Sequence, residues 1–268
     1  MLTPEQRTEF DERGFVRIPS AFTATEASAM EDLVWADAEA REGVIRGDPS
    51  TWNLTMVVGL GHLKTAPAFA AIGSPATVAA LDDLLGEGRW VRPNNWGQLL
   101  VTFPTPDAEW TVPSDVWHTD FDYQLPPGEV AGALVFAFLA DVGPGAGGTV
   151  VVAGSHRLIR RYVEDQPREA LEKMKMKQVR KAFLASDPWL RALSSDRDAG
   201  DREERFMGAD HELGGVPVRV VELTGRAGDV VVGHPWLLHA PAPNCGTSPR
   251  FMTVQRVKVA AGESAPEV

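Results

Sequence analysis

Cysteine is all but missing from this chain, which carries one, Cys245, in 268 residues. A single thiol cannot close an intramolecular disulfide or build a thiolate zinc site. That usage fits a reducing compartment, and the expectation is a cytoplasmic protein. Positive charge is also scarce. Lys and Arg number 26 against 37 Asp and Glu, a formal net charge of −11 with a pI near 5.0. Such a balance argues against nucleic acid or an anionic membrane surface as the main partner. No apolar run approaches the ~18 residues of a membrane-spanning helix, and the opening MLTPEQRTEFDERGF is too charged for a secretory signal. Internal repeats, low-complexity tracts and linkers are lacking too, so one domain is expected over residues 1–268.

What is present is the composition of a packed globular protein, with 44% hydrophobic and 24% charged residues. Thr3-Pro4-Glu5-Gln6 is a helix-start pattern: an N-cap threonine, proline in the first turn and a glutamine closing a capping box. Gly14 is placed to end that helix before a short strand at Phe15–Ile18. Thr23 and Glu26 repeat the box ahead of a helix running to about Glu42, and another helix is expected over roughly Ser74 to Leu85. From Trp90 onward the rhythm changes. Gln98–Phe103, Ala131–Asp141, Thr149–Val152, Val216–Leu223, Asp229–Gly233 and Phe251–Val259 are β-rich runs bounded by Gly, Pro or Asp. This pattern predicts an antiparallel sandwich or barrel. Arg157 to about Asp210 interrupts it. The segment is highly charged, reads as helix over Glu169–Ala185, and is expected to be a helical insertion between barrel strands.

Trp117-His118-Thr119-Asp120 carries the first chemical signal. In an extended segment, residues i and i+2 project to one side, so His118 and Asp120 can address one point. One imidazole and one carboxylate are two-thirds of a facial triad that leaves metal positions open. A bare His-x-Asp pair is weak evidence by itself. The third ligand is expected from a distant strand, and His234 and His239 both follow the apolar run Asp229–Val232. One of them is a structural histidine, and position alone does not say which. Arg250 opens the next β-like run, and its planar fork suits a carboxylate bidentately.

Together these segments resemble the phytanoyl-CoA dioxygenase family of iron(II)/2-oxoglutarate-dependent oxygenases. The carrying residues are Trp117–Asp120, Gly147–His156, Gly228–Val232, His239–Asn244 and Arg250, with eleven residues from His239 to Arg250. Phe10 through Phe15 and on to Ala27 also looks like the family's N-terminal region. The resemblance implies a mostly β architecture with flanking helices, a double-stranded β-helix (jelly-roll, cupin-like) core carrying the helical insertion. It implies iron(II) on His118, Asp120 and His239, 2-oxoglutarate as co-substrate with its far carboxylate on Arg250, and dioxygen with a small molecule as the other partners. Asp120 argues against halogenation, because related halogenases lack this carboxylate. His156, in the Gly-Ser-His signature, is then structural.

There are departures. The family often has a co-substrate-binding serine two residues past the distal histidine, where this chain has Pro241; Thr149 or Gln98 is the expected substitute. The 121 residues from His118 to His239 exceed the family's usual gap, in keeping with the insertion. The implied chemistry couples decarboxylation of 2-oxoglutarate to succinate and CO2 with oxidation of a substrate C–H bond, hydroxylation by default. The rivals are a zinc hydrolase or isomerase on the same barrel, which would not need Arg250, and a non-catalytic binding barrel, which would not need an intact triad. Trp52, Asn53, Trp90, Trp96, Trp110 and Phe121 are candidates for an aromatic substrate pocket or, alternatively, for core packing. Lys173, Lys175, Lys177, Arg180 and Lys181 are either a phosphate-binding patch or a solvated helix face. A small or lipid-like substrate is favoured over a coenzyme A thioester, and the sequence leaves the oligomeric state open.

Overall fold

The computed structural model describes residues 1–105, 107–123, 130–196 and 200–260. The N-terminal helices form where the capping signals place them. In α1 (Pro4–Arg13) the Thr3 hydroxyl accepts from the Gln6 N–H while Gln6 accepts from the Thr3 N–H, and Gly14 ends the helix in the left-handed conformation. Thr23 and Glu26 do the same for α2 (Ala24–Glu42), and Ser74 caps α3 (Pro75–Leu85). β1 (Phe15–Ile18) follows α1 directly.

The remaining strands are β2 (Met56–Val57), β3 (Gln98–Thr102), β4 (Gly132–Phe138), β5 (Thr149–Ala153), β6 (His211–Leu213), β7 (Val216–Glu222), β8 (Val230–Gly233), β9 (His239–Pro241) and β10 (Arg250–Lys258). They form a six-stranded sheet, β1-β8-β4-β10-β3-β2, and a four-stranded sheet, β6-β7-β5-β9, with every pairing antiparallel. This is the jelly-roll arrangement.

Strand periodicity explains the core. In β4 all seven residues are buried. Leu134, Phe136 and Phe138 point into the cluster between the sheets, while Ala133, Val135 and Ala137 join a second cluster beneath α2 and α3. The larger sheet is thus covered on both faces, and for that reason β4 and β8 read as unbroken apolar runs. Its β10 alternates likewise, with Met252 and Val254 inward and Phe251 and Val257 outward.

The insertion begins two residues earlier than expected, as α4 (Ser155–Glu164), and continues through α5 (Arg168–Glu172), α6 (Met176–Ala185), α7 (Pro188–Leu193) and α8 (Arg202–Met207). Residues 197–199 of the expected insertion lie outside the described residues. The helix predicted over Glu169–Ala185 is broken in two. Lys175 is extended and its N–H donates to the Gln178 side chain, so a new cap replaces helical continuity. The insertion is charged, yet it is no detached cover. Ile159, Leu171, Phe183, Trp189, Leu193 and Phe206 belong to the same cluster as the barrel interior strands. Arg202 draws it against the segment before His118, donating to the Val112 and Pro113 carbonyls and to those of Ala192, Leu193 and Ser195.

Among the described residues no single helix is long and apolar enough to cross a membrane. The bent pair Pro67–Gly73 and Pro75–Leu85 passes by length and composition only, and Phe69, Ile72 and Leu81 place it in the core.

Candidate active site

His118 and His239 come from segments 121 residues apart and meet as an antiparallel bridge, exchanging backbone hydrogen bonds of 2.9 Å in both directions. Their ring centroids lie 4.2 Å apart. Asp120, on the His118 side of the extended chain, brings Oδ2 to 3.7 Å from His239 Nε2. One ligand atom from each of the three residues lies within 4.8 Å of the others, close enough to hold one metal ion. His234 is excluded from that cluster. It is buried elsewhere, with Nδ1 accepting the Trp236 N–H.

The two rings are oriented by the same device. His118 Nδ1–H donates to the Val116 carbonyl at 2.8 Å, and His239 Nδ1–H donates to the Leu237 carbonyl at 2.9 Å. Each bond fixes the tautomer that leaves Nε2 as the lone-pair donor, a common support for metal-bound histidine. Val116 sits at φ 52 to present that carbonyl. For a β-branched residue this is a strained conformation, and sequence reading offered no signal for it. Burial, then the neighbouring His118, lowers the His239 pKa to about 4. The ring is therefore neutral at physiological pH, as a metal ligand must be.

Arg250 shares the inward face of β10 with Met252 and Val254 and is 4% exposed. One Nη1–H goes to the Gly147 carbonyl, while Nε has no partner among the described residues. Thr102, directly opposite Arg250 in the β3–β10 ladder and so on the same face, has a buried Oγ1 that is also unpartnered. A buried guanidinium nitrogen beside an orphaned hydroxyl is a place built for an anion. Burial pulls the Arg250 pKa down to about 10, with Glu222 opposing, and the group remains a cation. Glu222 accepts the Gly145 and Gly148 N–H groups at 2.7 and 2.9 Å and so holds the turn whose Gly147 carbonyl steadies Arg250. At Gly148 a Cβ would come 2.4 Å from the Leu223 carbonyl oxygen, so only glycine lets this turn seat on β7. Sequence reading missed Thr102 and Glu222. Their roles come from cross-strand neighbours with no local motif.

Of the two expected substitutes for the missing serine, Thr149 is buried opposite Pro241 on β5. Gln98 is exposed, at the far end of the face that carries Thr102, and opposite Val254. A cavity of about 530 Å³ opens alongside, lined in part by Thr102, Val116, Pro241, Ala242, Asp196 and Arg202. Its wall thus includes the insertion and residues two positions from His118 and His239. None of the six aromatic-pocket candidates lines it. Trp52 and Trp96 pack in the outer core and Phe121 in the inner one. Lys173, Lys175, Lys177 and Lys181 are exposed along α5 and α6, a solvated face. Arg180 is half-buried on α6, and its charge acts on His239 and Tyr123.

The model of the phytanoyl-CoA dioxygenase family matches residues 10–252. The chain belongs to that family. Membership makes it an iron(II)/2-oxoglutarate-dependent enzyme of the dioxygenase type. Comparison with curated proteins gives no match. Among solved structures, the carbocyclase SnoK of nogalamycin biosynthesis is 20% identical, with a TM-score of 0.58 over 97% of this chain and 85% of its own. HygX from Streptomyces hygroscopicus, bound to nickel and 2-oxoglutarate, is 16% identical, with a TM-score of 0.55 over 97% and 88%. The epimerase SnoN, in complex with Fe3+, 2-oxoglutarate (as α-ketoglutarate) and nogalamycin RO, is 20% identical with a TM-score of 0.53 over 96% and 83%. These likenesses are of fold. The local fit to the family's cofactors comes from this chain's own donors: two imidazole Nε2 atoms, one carboxylate, and a buried arginine whose Nε has no partner among the described residues.

Proposed function

We propose that this phytanoyl-CoA dioxygenase family member hydroxylates a small organic or lipid-like molecule, with iron(II) on His118, Asp120 and His239 and the far carboxylate of 2-oxoglutarate on Arg250. The carrying observation is the paired orphan, Arg250 Nε and Thr102 Oγ1, buried at one end of a strand face that brings Arg256 to 3.9 Å from Asp120 at the other. A zinc hydrolase or a passive binding barrel would have no use for that charge. The iron, when bound, activates dioxygen, and the balance is 2-oxoglutarate plus O2 plus R–H giving succinate, CO2 and R–OH.

The chain's residues position and exclude. Val116 and Leu237 hold the two imidazoles in one tautomer, and Arg250 with Thr102 orients the co-substrate, joined by Thr149 from β5 and Gln98 from the open end of β3. The cavity by Val116 and Pro241 takes the substrate. The insertion, through α6 and Arg202, keeps bulk water from the reacting atoms. Epimerisation, desaturation or ring formation would begin from the same hydrogen removal, and product analysis separates them. The lone thiol and the absence of a membrane-spanning helix among the described residues support a cytoplasmic setting.

Anaerobic titration tests the reading. Iron(II) and 2-oxoglutarate together are expected to produce a weak visible charge-transfer band that neither produces alone. His239→Ala and Asp120→Ala should lose it, while His234→Ala keeps it. A band that survives in His239→Ala and vanishes in His234→Ala would overturn the ligand assignment.

A further inference from the structure

A second cavity, of about 560 Å³, shares no lining residue with the one beside the metal ligands. It lies where α4 meets α1, and four arginines border it: Arg7, Arg157, Arg160 and Arg161. In a chain of net charge −11 that concentration is out of character. Three carboxylates share the wall, Asp11, Asp83 and Glu164. Arg7 is committed to Asp83 at 2.8 Å, and Arg161 donates to the Gly214 carbonyl. Arg157 and Arg160 are half-buried and have no carboxylate partner among the described residues.

The inner wall holds a buried donor with nowhere to donate. His234 is 4% exposed and accepts the Trp236 N–H on Nδ1, so its proton is on Nε2, which has no partner among the described residues. His156, 4.8 Å away centroid to centroid, donates from Nε2 to the Asp11 carbonyl. Its ring rests on Gly14, where a Cβ would come within 2.5 Å of Nδ1. Burial is the main force lowering both pKa values, and Arg160 adds to it at each ring. The first turn of α4, which contributes His156 and Arg157, has no side-chain cap. Two guanidinium forks, a buried imidazole N–H and an uncapped helix start therefore border one cavity, a donor set that suits a phosphate oxyanion. The volume is that of a small organic molecule, far more than one ion needs, and Phe10, Leu84 and Val130 supply apolar wall for its body.

We propose that this cavity is a binding site for a phosphate monoester, separate from the oxidation site, with the phosphate on Arg157, Arg160 and His234 Nε2–H. The site is one hydrogen bond from the metal-bearing segments on two sides. Ser155 Oγ accepts the Leu238 N–H, and Trp236 Nε1–H donates to the Asp122 carbonyl.

Calorimetric titration of the full chain with phenyl phosphate and with inorganic phosphate, against potassium chloride of equal ionic strength, tests it. Both phosphates should bind saturably, the ester more tightly; equal affinity would assign the site to free phosphate and overturn the ester. The Arg157→Gln/Arg160→Gln double variant, altered only on a half-exposed helix face, should weaken binding roughly tenfold or more, since charge-assisted bonds to the anion are lost. Arg250→Ala should leave phosphate binding unchanged. No saturable heat, undiminished binding in the arginine variant, or loss of binding in Arg250→Ala would each overturn the site.

Discussion

Val116 shows how much of this site is decided at single residues. A valine at φ 52 costs about 1–2 kcal/mol relative to an ordinary backbone, and its side chain is 56% exposed, so little packing offsets the strain. The carbonyl so placed fixes the His118 tautomer. Val116→Gly is expected to stabilise the metal-free protein by up to about 1 kcal/mol while weakening iron binding roughly tenfold, as for other groups that orient metal ligands. Denaturant unfolding and iron titration would read the two effects separately, and weakened iron binding is the result that matters. Arg250 predicts the opposite split. Arg250→Ala should leave iron affinity nearly intact and raise the 2-oxoglutarate requirement by roughly ten- to a hundredfold, the equivalent of about 1.5–3 kcal/mol for a charge-assisted pair. Unchanged 2-oxoglutarate affinity would remove Arg250 from the site.

The elements show a division of labour between the sheets and the insertion. β10 carries Arg250 at one end of its inner face and Arg256, 3.9 Å from Asp120, near the other. β9 carries His239 at the bridge to His118. The insertion is bound to this framework by an apolar seam and by Arg202, whose guanidinium reaches five backbone carbonyls across two segments. Arg202→Ala strands those acceptors and should cost about 2 kcal/mol or more. Amide hydrogen exchange is expected to quicken in α7 and around Val112, with the β4–β10 ladder unaffected. Uniform quickening over the whole chain would mean that the insertion is no separate unit. Substrate binding should slow exchange within residues 157–196 if the insertion closes over the cavity by Asp196. An oligomer contact would instead give protection that depends on dilution.

For the whole molecule, burial of neutral histidines sets the response to acid. Burial holds His156 and His239 near 4, and His234 well below its ordinary value, against a pKa near 6.5 when unfolded. The unfolded chain therefore binds more protons than the native one below about pH 6.5. Stability is full above that pH and falls as pH drops toward 4, by about 1.4 kcal/mol per pH unit for each such histidine. Chemical denaturation of the metal-free protein at pH 7, 6 and 5 should show a falling midpoint across the series. His156→Gln, lacking one titrating ring, should show a shallower fall. A midpoint constant from pH 7 to 5 would contradict the buried neutral rings.

The sequence by itself determined the elements whose causes are local. Thr3 and Thr23 cap their helices because a side chain three residues away answers them. The apolar runs of β4, β5 and β8 announce strands covered on both faces. The spacing of His118, Asp120, His239 and Arg250 carried the candidate site through its family resemblance. Tertiary structure alone brings His239, and not His234, beside His118 and Asp120, since both follow the same strand and only the bridge to His118 separates them. It also decided the split of the long insertion helix, the strain at Val116, and the placing of Thr102 and Glu222 against the Arg250 turn. Those features arise where chain segments far apart in sequence compete for the same donors and the same buried space. No local pattern records the outcome of that competition.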